Sequence, residues 1–193
     1  MKRYLNLGCG TNIIKEKGWL NVDNFVEYSE KKDFSKSKYF LRADILKLPF
    51  DSDTFDYIIV DNVLEHIRTA DVPVALFEIR RVLKVGGRAV IISPDFKSVI
   101  QQWLDADIDF GFNPLKYHFF SEVVYGSQVH KGEHHSTAVT PGYLHYVLNM
   151  VGLPKHEIIF YPAFGPLPDY PGCRAHPKEM ILRNAELVAD ITK

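Results

Sequence analysis

The chain has 193 residues, 46% of them hydrophobic, with 23 basic and 24 acidic residues and a net charge of −1. That is enough apolar material for one sizeable core, and a single domain over residues 1–193 is expected. The two signs of charge are interspersed, without the basic footprint of a nucleic-acid binder, and no apolar stretch approaches the length that crosses a bilayer, so neither nucleic acid nor membrane is an expected partner.

In chain order, Tyr4–Leu7, Trp19–Val22, Tyr39–Arg42, Phe55–Val60 and Arg88–Ser93 read as strands. Near-continuous Val and Ile in the last two predicts strands covered on both faces, as in a parallel sheet. A helix is predicted from about Val72 to Leu83, with Asp71 as its cap and Pro73 in its first turn. Its inner face would be Val72, Ala75, Leu76, Ile79, Val82 and Leu83, with Gly86 or Gly87 closing it. Strand, helix and strand in succession make a right-handed crossover. From about residue 103 to 137 the sequence is dense in aromatics and histidines and poor in helical period, a pattern that predicts a lid over a site. A second helix is predicted from a Thr140 cap and Pro141 to Gly152, burying Leu144, Val147, Leu148 and Val151. Glu157–Tyr161 and Glu179–Leu187 are expected as final strands. The fold class is α/β, a doubly wound sheet.

Cys9 and Cys173 lie far apart without a CxxC spacing, and Cys9 sits between two glycines. Free thiols in a reducing compartment are expected. "MKRYLNLG" leads straight into the first strand, which together with the thiols predicts a cytoplasmic protein.

Ligands of open α/β sheets bind at the carboxyl ends of the strands. The ends here carry Gly8 and Gly10 after the first strand, Asp23 and Asn24 after the second, Asp44 after the third, and Asp61, Asn62, Glu65 and His66 after the fourth. Glycines allow close approach to the backbone. An acid after the second strand suits the vicinal hydroxyls of a ribose, and one after the third can accept from an exocyclic amine. Only "TNIIKEKG" separates Gly10 from the next strand, too short for the helix whose N-terminus would seat a pyrophosphate. A nucleoside without phosphates is the expected ligand.

These residues carry a resemblance. "LNLGCG", Asp23, "RADILKLPFDSDTFDYIIVDNVLEHI" and "RRVLKVGGRAVIISPD", over Tyr4–Asp95, resemble the class I S-adenosylmethionine (SAM)-dependent methyltransferases, and in particular a single-domain subgroup reading "LGCG…GWxNVD". The resemblance implies a Rossmann-like, mostly parallel sheet with a final antiparallel strand. It implies that the backbone of Leu7, Gly8, Cys9 and Gly10 lies against the methionine part of SAM, and that Asp23, beside Asn24, holds the ribose. Asp44, Ile45 and Leu46 would line the adenine, and Asn62 and Val63 would flank the methionine and sulfonium. The family's third glycine is Asn12 here, so Thr11 and Asn12 become the candidate donors to the methionine carboxylate.

The expected activity is methyl transfer from SAM to an oxygen or nitrogen of a small-molecule acceptor. The alternatives are an inert SAM- or nucleoside-binding module of the same fold and, last, a nucleotide-dependent oxidoreductase. An acceptor that must lose a proton needs a general base. The candidates are His66, His118, His134 and His135, with Asp95 able to orient the acceptor or act as base. His66 could equally be a packed residue. His130, His134 and His135 have no accompanying cysteine or carboxylate set and a glycine interrupts them, so a solvated loop is expected and no metal.

Overall fold

Alternation decides how the central strands are used. In β4 (Phe55–Asp61), Ile58 and Val60 enter one buried cluster while Tyr57 and Ile59 enter another; in β5 (Leu83–Pro94), Ala89 and Ile91 join the first and Val90 and Ile92 the second. A strand apolar on both faces must be covered on both, which places these two in the middle of a sheet. The computed structural model describes residues 2–24, 38–105, 121–129, 132–161, 171 and 186–193. With β1 (Tyr4–Leu7), β2 (Trp19–Asp23), β3 (Phe40–Arg42), β6 (His156–Tyr161) and β7 (Glu186–Thr192), they form a seven-stranded sheet in the order β3-β2-β1-β4-β5-β7-β6. β1 to β5 pair in parallel, and β7 runs antiparallel between β5 and β6. Strand order reverses between β1 and β4, the switch point at which α/β sheets open a crevice.

The last strand lies later than the sequence suggests: β7 is Glu186–Thr192, and residues 179–185 are outside the described set. Its Leu187, Ala189 and Ile191 face the main core. Asp190 on this strand is held by Arg88 of β5 through a two-pronged ion pair at 2.8 and 2.6 Å.

α1 (Val72–Val82) buries Val72, Ala75, Leu76, Ile79 and Val82 at helical spacing. Two expectations about its ends are corrected. Asp71 has helical dihedrals and no capping bond; its carboxylate instead accepts from Arg68 Nε at 2.7 Å. The helix also stops at Val82, because Leu83 is already extended (ψ 133) and pairs with Phe55 as the start of β5. Gly86 (φ +74) therefore lies in an irregularity of β5, between the Phe55–Leu83 and Tyr57–Arg88 pairings.

α2 (Phe96–Asp105) is a helix that the sequence reading does not anticipate. It starts at Asp95, whose carboxylate accepts from Lys97 N–H at 3.1 Å and Ser98 Oγ at 2.5 Å, the bonding of an N-cap. α3 (Pro141–Met150) begins as expected, with the Thr140 hydroxyl accepting from Tyr143 N–H at 3.2 Å. It ends in a Schellman motif: Gly152 is left-handed (φ +80), its N–H donates to Asn149 and that of Leu153 to Leu148. Among the described residues no helix is long and apolar enough to cross a membrane.

Between β1 and β2 the chain makes no helix, and buried amides do its work. Asn6 and Asn21 are 2% and 0% exposed. Asn6 donates to Asn12 C=O at 2.7 Å and to Asn21 Oδ1 at 3.0 Å; Asn21 also accepts from Ile14 N–H at 2.9 Å and donates to the carbonyls of Ile14 and Tyr39, each at 2.9 Å. The loop is thus tied to two strands at once. On that face of the sheet Tyr4, Trp19 and Tyr57 pack ring to ring, with centroids 5.3–6.3 Å apart. Asn21→Leu would leave several of these polar groups buried without partners, at about 1–3 kcal/mol each. Equilibrium denaturation of that variant should show a loss of roughly 3 kcal/mol or more; a loss below about 1 kcal/mol would reject the network as the loop's support.

Candidate functional site

The turn after β1 is shaped by what it packs against. Gly8 has φ +71, and a Cβ there would fall inside the Val63 side chain, against Cγ2 and within 3.0 Å of Cγ1. The N–H groups of Gly8 and Cys9 both donate to Val22 C=O, at 2.7 and 3.1 Å, and Gly10 N–H donates to the Asp23 carboxylate at 2.7 Å. The turn is therefore pinned to the end of β2, and the acid expected at the ribose also holds the glycine loop. Cys9 is 1% exposed with Sγ 3.6 Å from Gly10 C=O, and its side chain points away from the cleft.

After β3, Asp44 forms a tight turn: its carboxylate accepts from Leu46 N–H at 2.9 Å and its carbonyl from Lys47 N–H at 3.0 Å. The following segment is clamped from α1. Glu78 accepts from Leu48 N–H at 2.8 Å and from Arg81 at 2.7 and 2.8 Å, while Arg81 reaches the carbonyls of Phe50 and Leu48. The Arg81 hydrogen bond holds the Glu78 carboxyl below its usual range.

After β4, Asn62 takes a left-handed conformation (φ 53), uncommon for a residue with a side chain, and leads through Val63 into a 3-10 turn, Leu64–His66. Glu65 in that turn is 3% exposed, and its carboxylate accepts from Ser93 Oγ at 3.0 Å. Its carbonyl accepts from the N–H groups of Ser136 and Thr137 at 2.7 and 3.1 Å, and Thr137 Oγ1 donates to Ile67 C=O at 2.5 Å. The end of the expected lid is thereby latched to the β4 turn. Gly126, left-handed at φ +79, lies against the Glu133 backbone, and Ser127 Oγ donates to the Glu133 carboxylate.

These pieces enclose a cleft of about 730 Å³ at the carboxyl ends of β1, β2 and β4. Leu7, Gly8, Gly10, Asp23, Asn24, Asp44, Ile45, Leu46, Asn62 and Val63 line it, as do Thr11, His66, His134 and His135. Asp95 does not line it, because its carboxylate caps α2. His118 and His130, with Phe110, Phe112, Tyr117, Phe119 and Phe120, lie outside the described residues. Beside the cleft is a recess of about 240 Å³ lined by Glu65, Phe96, Val123, Tyr125, His135 and Thr137, among others.

His66 and His135 meet edge to face, with ring centroids 4.8 Å apart. His135 Nδ1 is 2.7 Å from Val123 C=O, and His66 Nδ1 is 3.3 Å from His134 C=O. Burial pushes the His135 imidazole below its ordinary 6.5, so it is neutral at pH 7. Sequence reasoning missed the buried asparagines and the depth of Glu65. An asparagine flanked by leucine or valine in both "LNL" and "LNV" was the available signal for the first.

A family model described as a methyltransferase domain matches residues 5–91, from β1 into β5. An uncharacterised protein of Methanocaldococcus jannaschii is 31% identical over 134 residues, 65% of this chain, and the aligned part spans 57% of the relative's length. A SAM-dependent methyltransferase of Thermotoga maritima, described as a possible histamine N-methyltransferase, superposes over 100% of this chain and 83% of its own with a TM-score of 0.63 and 18% identity. One from Archaeoglobus fulgidus covers 100% of this chain and 86% of its own, with a TM-score of 0.59 and 17% identity. The fold is that of the Rossmann-like SAM-dependent methyltransferases. The matched domain covers less than half of the chain, the part that runs from β1 into β5 and carries most of the turns lining the cleft.

Proposed function

We propose that the chain transfers a methyl group from SAM to an oxygen or nitrogen of a small-molecule acceptor. The observation that supports this best is the convergence on one cleft of the Gly8–Gly10 turn, Asp23, the Asp44–Leu46 turn and Asn62–Val63. The residues fit the cofactor. A volume of about 730 Å³ lies in the range that holds a ligand of this size. Asp23 offers carboxylate oxygen at the end of β2, half-buried Ile45 and Leu46 offer an apolar wall, and the turn after β1 opens no helix that would seat a pyrophosphate.

Bound there, SAM supplies an electrophilic methyl group for in-line displacement, a reaction in which positioning provides most of the catalysis. Asp23 fixes the nucleoside end, and the Val63 packing against Gly8 sets the depth of the methionine end. The acceptor enters from the recess on the His135 side. His66, His134 and His135 line the wall where an acceptor proton would leave.

Calorimetric titration with SAM, S-adenosylhomocysteine and NAD tests the reading. Binding of the first two is expected. Binding of NAD alone would overturn the reading in favour of an oxidoreductase. Saturable SAM binding with no transfer of a labelled methyl group to any co-purified small molecule, identified by mass spectrometry, would select the inert module.

A further inference from the structure

We infer that Glu65, His66 and His135 form a binding site for one divalent cation of the zinc class, at the acceptor side of the cofactor cleft. The inference rests on the methyltransferase reading only for the role of the cation, and not for its binding.

The three side chains place their nearest ligand atoms within 4.8 Å of one another. They come from two segments far apart in sequence, the turn after β4 and residue 135, which the Ser136 and Thr137 N–H bonds to Glu65 C=O hold in register. Two imidazoles and one carboxylate are the donor set of catalytic zinc sites that keep an open fourth position. The ions that prefer all-oxygen cages are disfavoured by that set.

Each donor is also oriented from behind. His135 Nδ1 lies on Val123 C=O at 2.7 Å and His66 Nδ1 on His134 C=O at 3.3 Å, so in both rings a proton on Nδ1 leaves Nε2 as the electron-pair donor. Glu65 Oε2 accepts from Ser93 Oγ at 3.0 Å, which fixes the carboxylate. Imidazole N–H groups on backbone carbonyls and a hydrogen-bonded carboxylate are the outer shell that metal ligands use.

The position gives the cation its task. His66 and His135 line the large cleft, and Glu65 and His135 line the recess. The site therefore stands in the wall between cofactor and acceptor. The open coordination position takes a hydroxyl of the acceptor. Coordination lowers that group's pKa, and its proton passes to solvent at the cleft mouth. The lone pair then forms the new bond to the methyl carbon as the carbon–sulfur bond breaks, its electron pair staying on the sulfur of S-adenosylhomocysteine.

The test uses the whole chain, stripped of metal by chelator and dialysed. Cobalt(II) is titrated while visible absorption is followed, and zinc is titrated by calorimetry with the metal content measured by mass spectrometry. One ion per chain is expected. Glu65→Gln, His66→Ala and His135→Ala should each lower the affinity by about a hundredfold or more, with circular dichroism confirming that each is folded. His66 and His135 are half-buried, against 3% exposure for Glu65, and their variants serve if Glu65→Gln does not fold. His145→Ala, which removes the exposed pair with His156 at 2.8 Å, should leave uptake unchanged. Failure of the folded chain to take up either ion would overturn the inference, as would uptake that survives the site substitutions or is lost with His145. SAM binding measured on the same samples separates the two readings: cation uptake without SAM binding sinks the methyltransferase proposal alone, and SAM binding without uptake sinks this one alone.

Discussion

Replacing Asp23 by alanine should weaken SAM and S-adenosylhomocysteine binding by roughly 1.5–3 kcal/mol, the scale of hydrogen bonds to a charged group. The carboxylate lies at the end of β2 in the wall of the cleft, where it already accepts from Gly10 N–H at 2.7 Å. Two effects then add: the ribose loses its acceptor, and the glycine turn loses one of its ties to β2. A parallel measurement of thermal stability separates them, since the second effect lowers the melting temperature of the free protein and the first does not. Calorimetry of the variant decides the matter. An affinity equal to that of the wild type would remove Asp23 from the cofactor site.

Gly8→Val should be the more damaging change, and its effect should appear before any cofactor is added. A β-branched residue at φ +71 carries a penalty of about 1–2 kcal/mol, and the overlap of its Cβ with Val63 adds roughly 1–3 kcal/mol of overpacking. The sum, about 2–5 kcal/mol, corresponds to a fall of about 2–4 °C in melting temperature for each kcal/mol in a chain of this size. Adding Val63→Ala to the variant should recover the overlap and not the backbone penalty, so partial rescue is expected. Melting of Gly8→Val at the wild-type temperature would refute the close packing. The sequence suggests that the glycine makes room for the cofactor; the structure shows that it makes room first for a neighbouring strand end.

What was legible in the sequence follows from what carries a periodic signal. β4 and β5 are apolar on both faces, and α1 and α3 bury side chains at helical spacing, so β4, α1 and α3 stand close to their expected limits, while β5 ends near its own but begins at Leu83 rather than Arg88. β7 lies later than the expected Glu179–Leu187, and its Asp190 is held by a side chain distant in sequence, Arg88 of β5. α2 was missed because, among its described side chains, only Val99 is fully buried, which leaves little apolar pattern to read. For the site, strand ends are predictable once the sheet is, and Gly8, Gly10, Asp23, Asp44, Asn62 and Val63 do face one cleft. The direction of a side chain at a turn is not written in the pattern. Cys9 turns into the core, Asp95 back onto its own helix, and Glu65 inward to Ser93. Nor does sequence distance reveal that residue 135 comes beside residue 66, which takes backbone bonds between the two segments to arrange.

The aromatic packing beneath β1 and β2 has an optical consequence. The chain has two tryptophans: Trp19, 8% exposed and enclosed by Tyr4 and Tyr57, and Trp103 on α2, 50% exposed. A neutral aqueous quencher will reach the second indole and scarcely the first. The emission that survives quenching then comes from the strand whose far end carries Asp23, and the wavelength of that residual light reports on the sheet beneath the cleft without any added label.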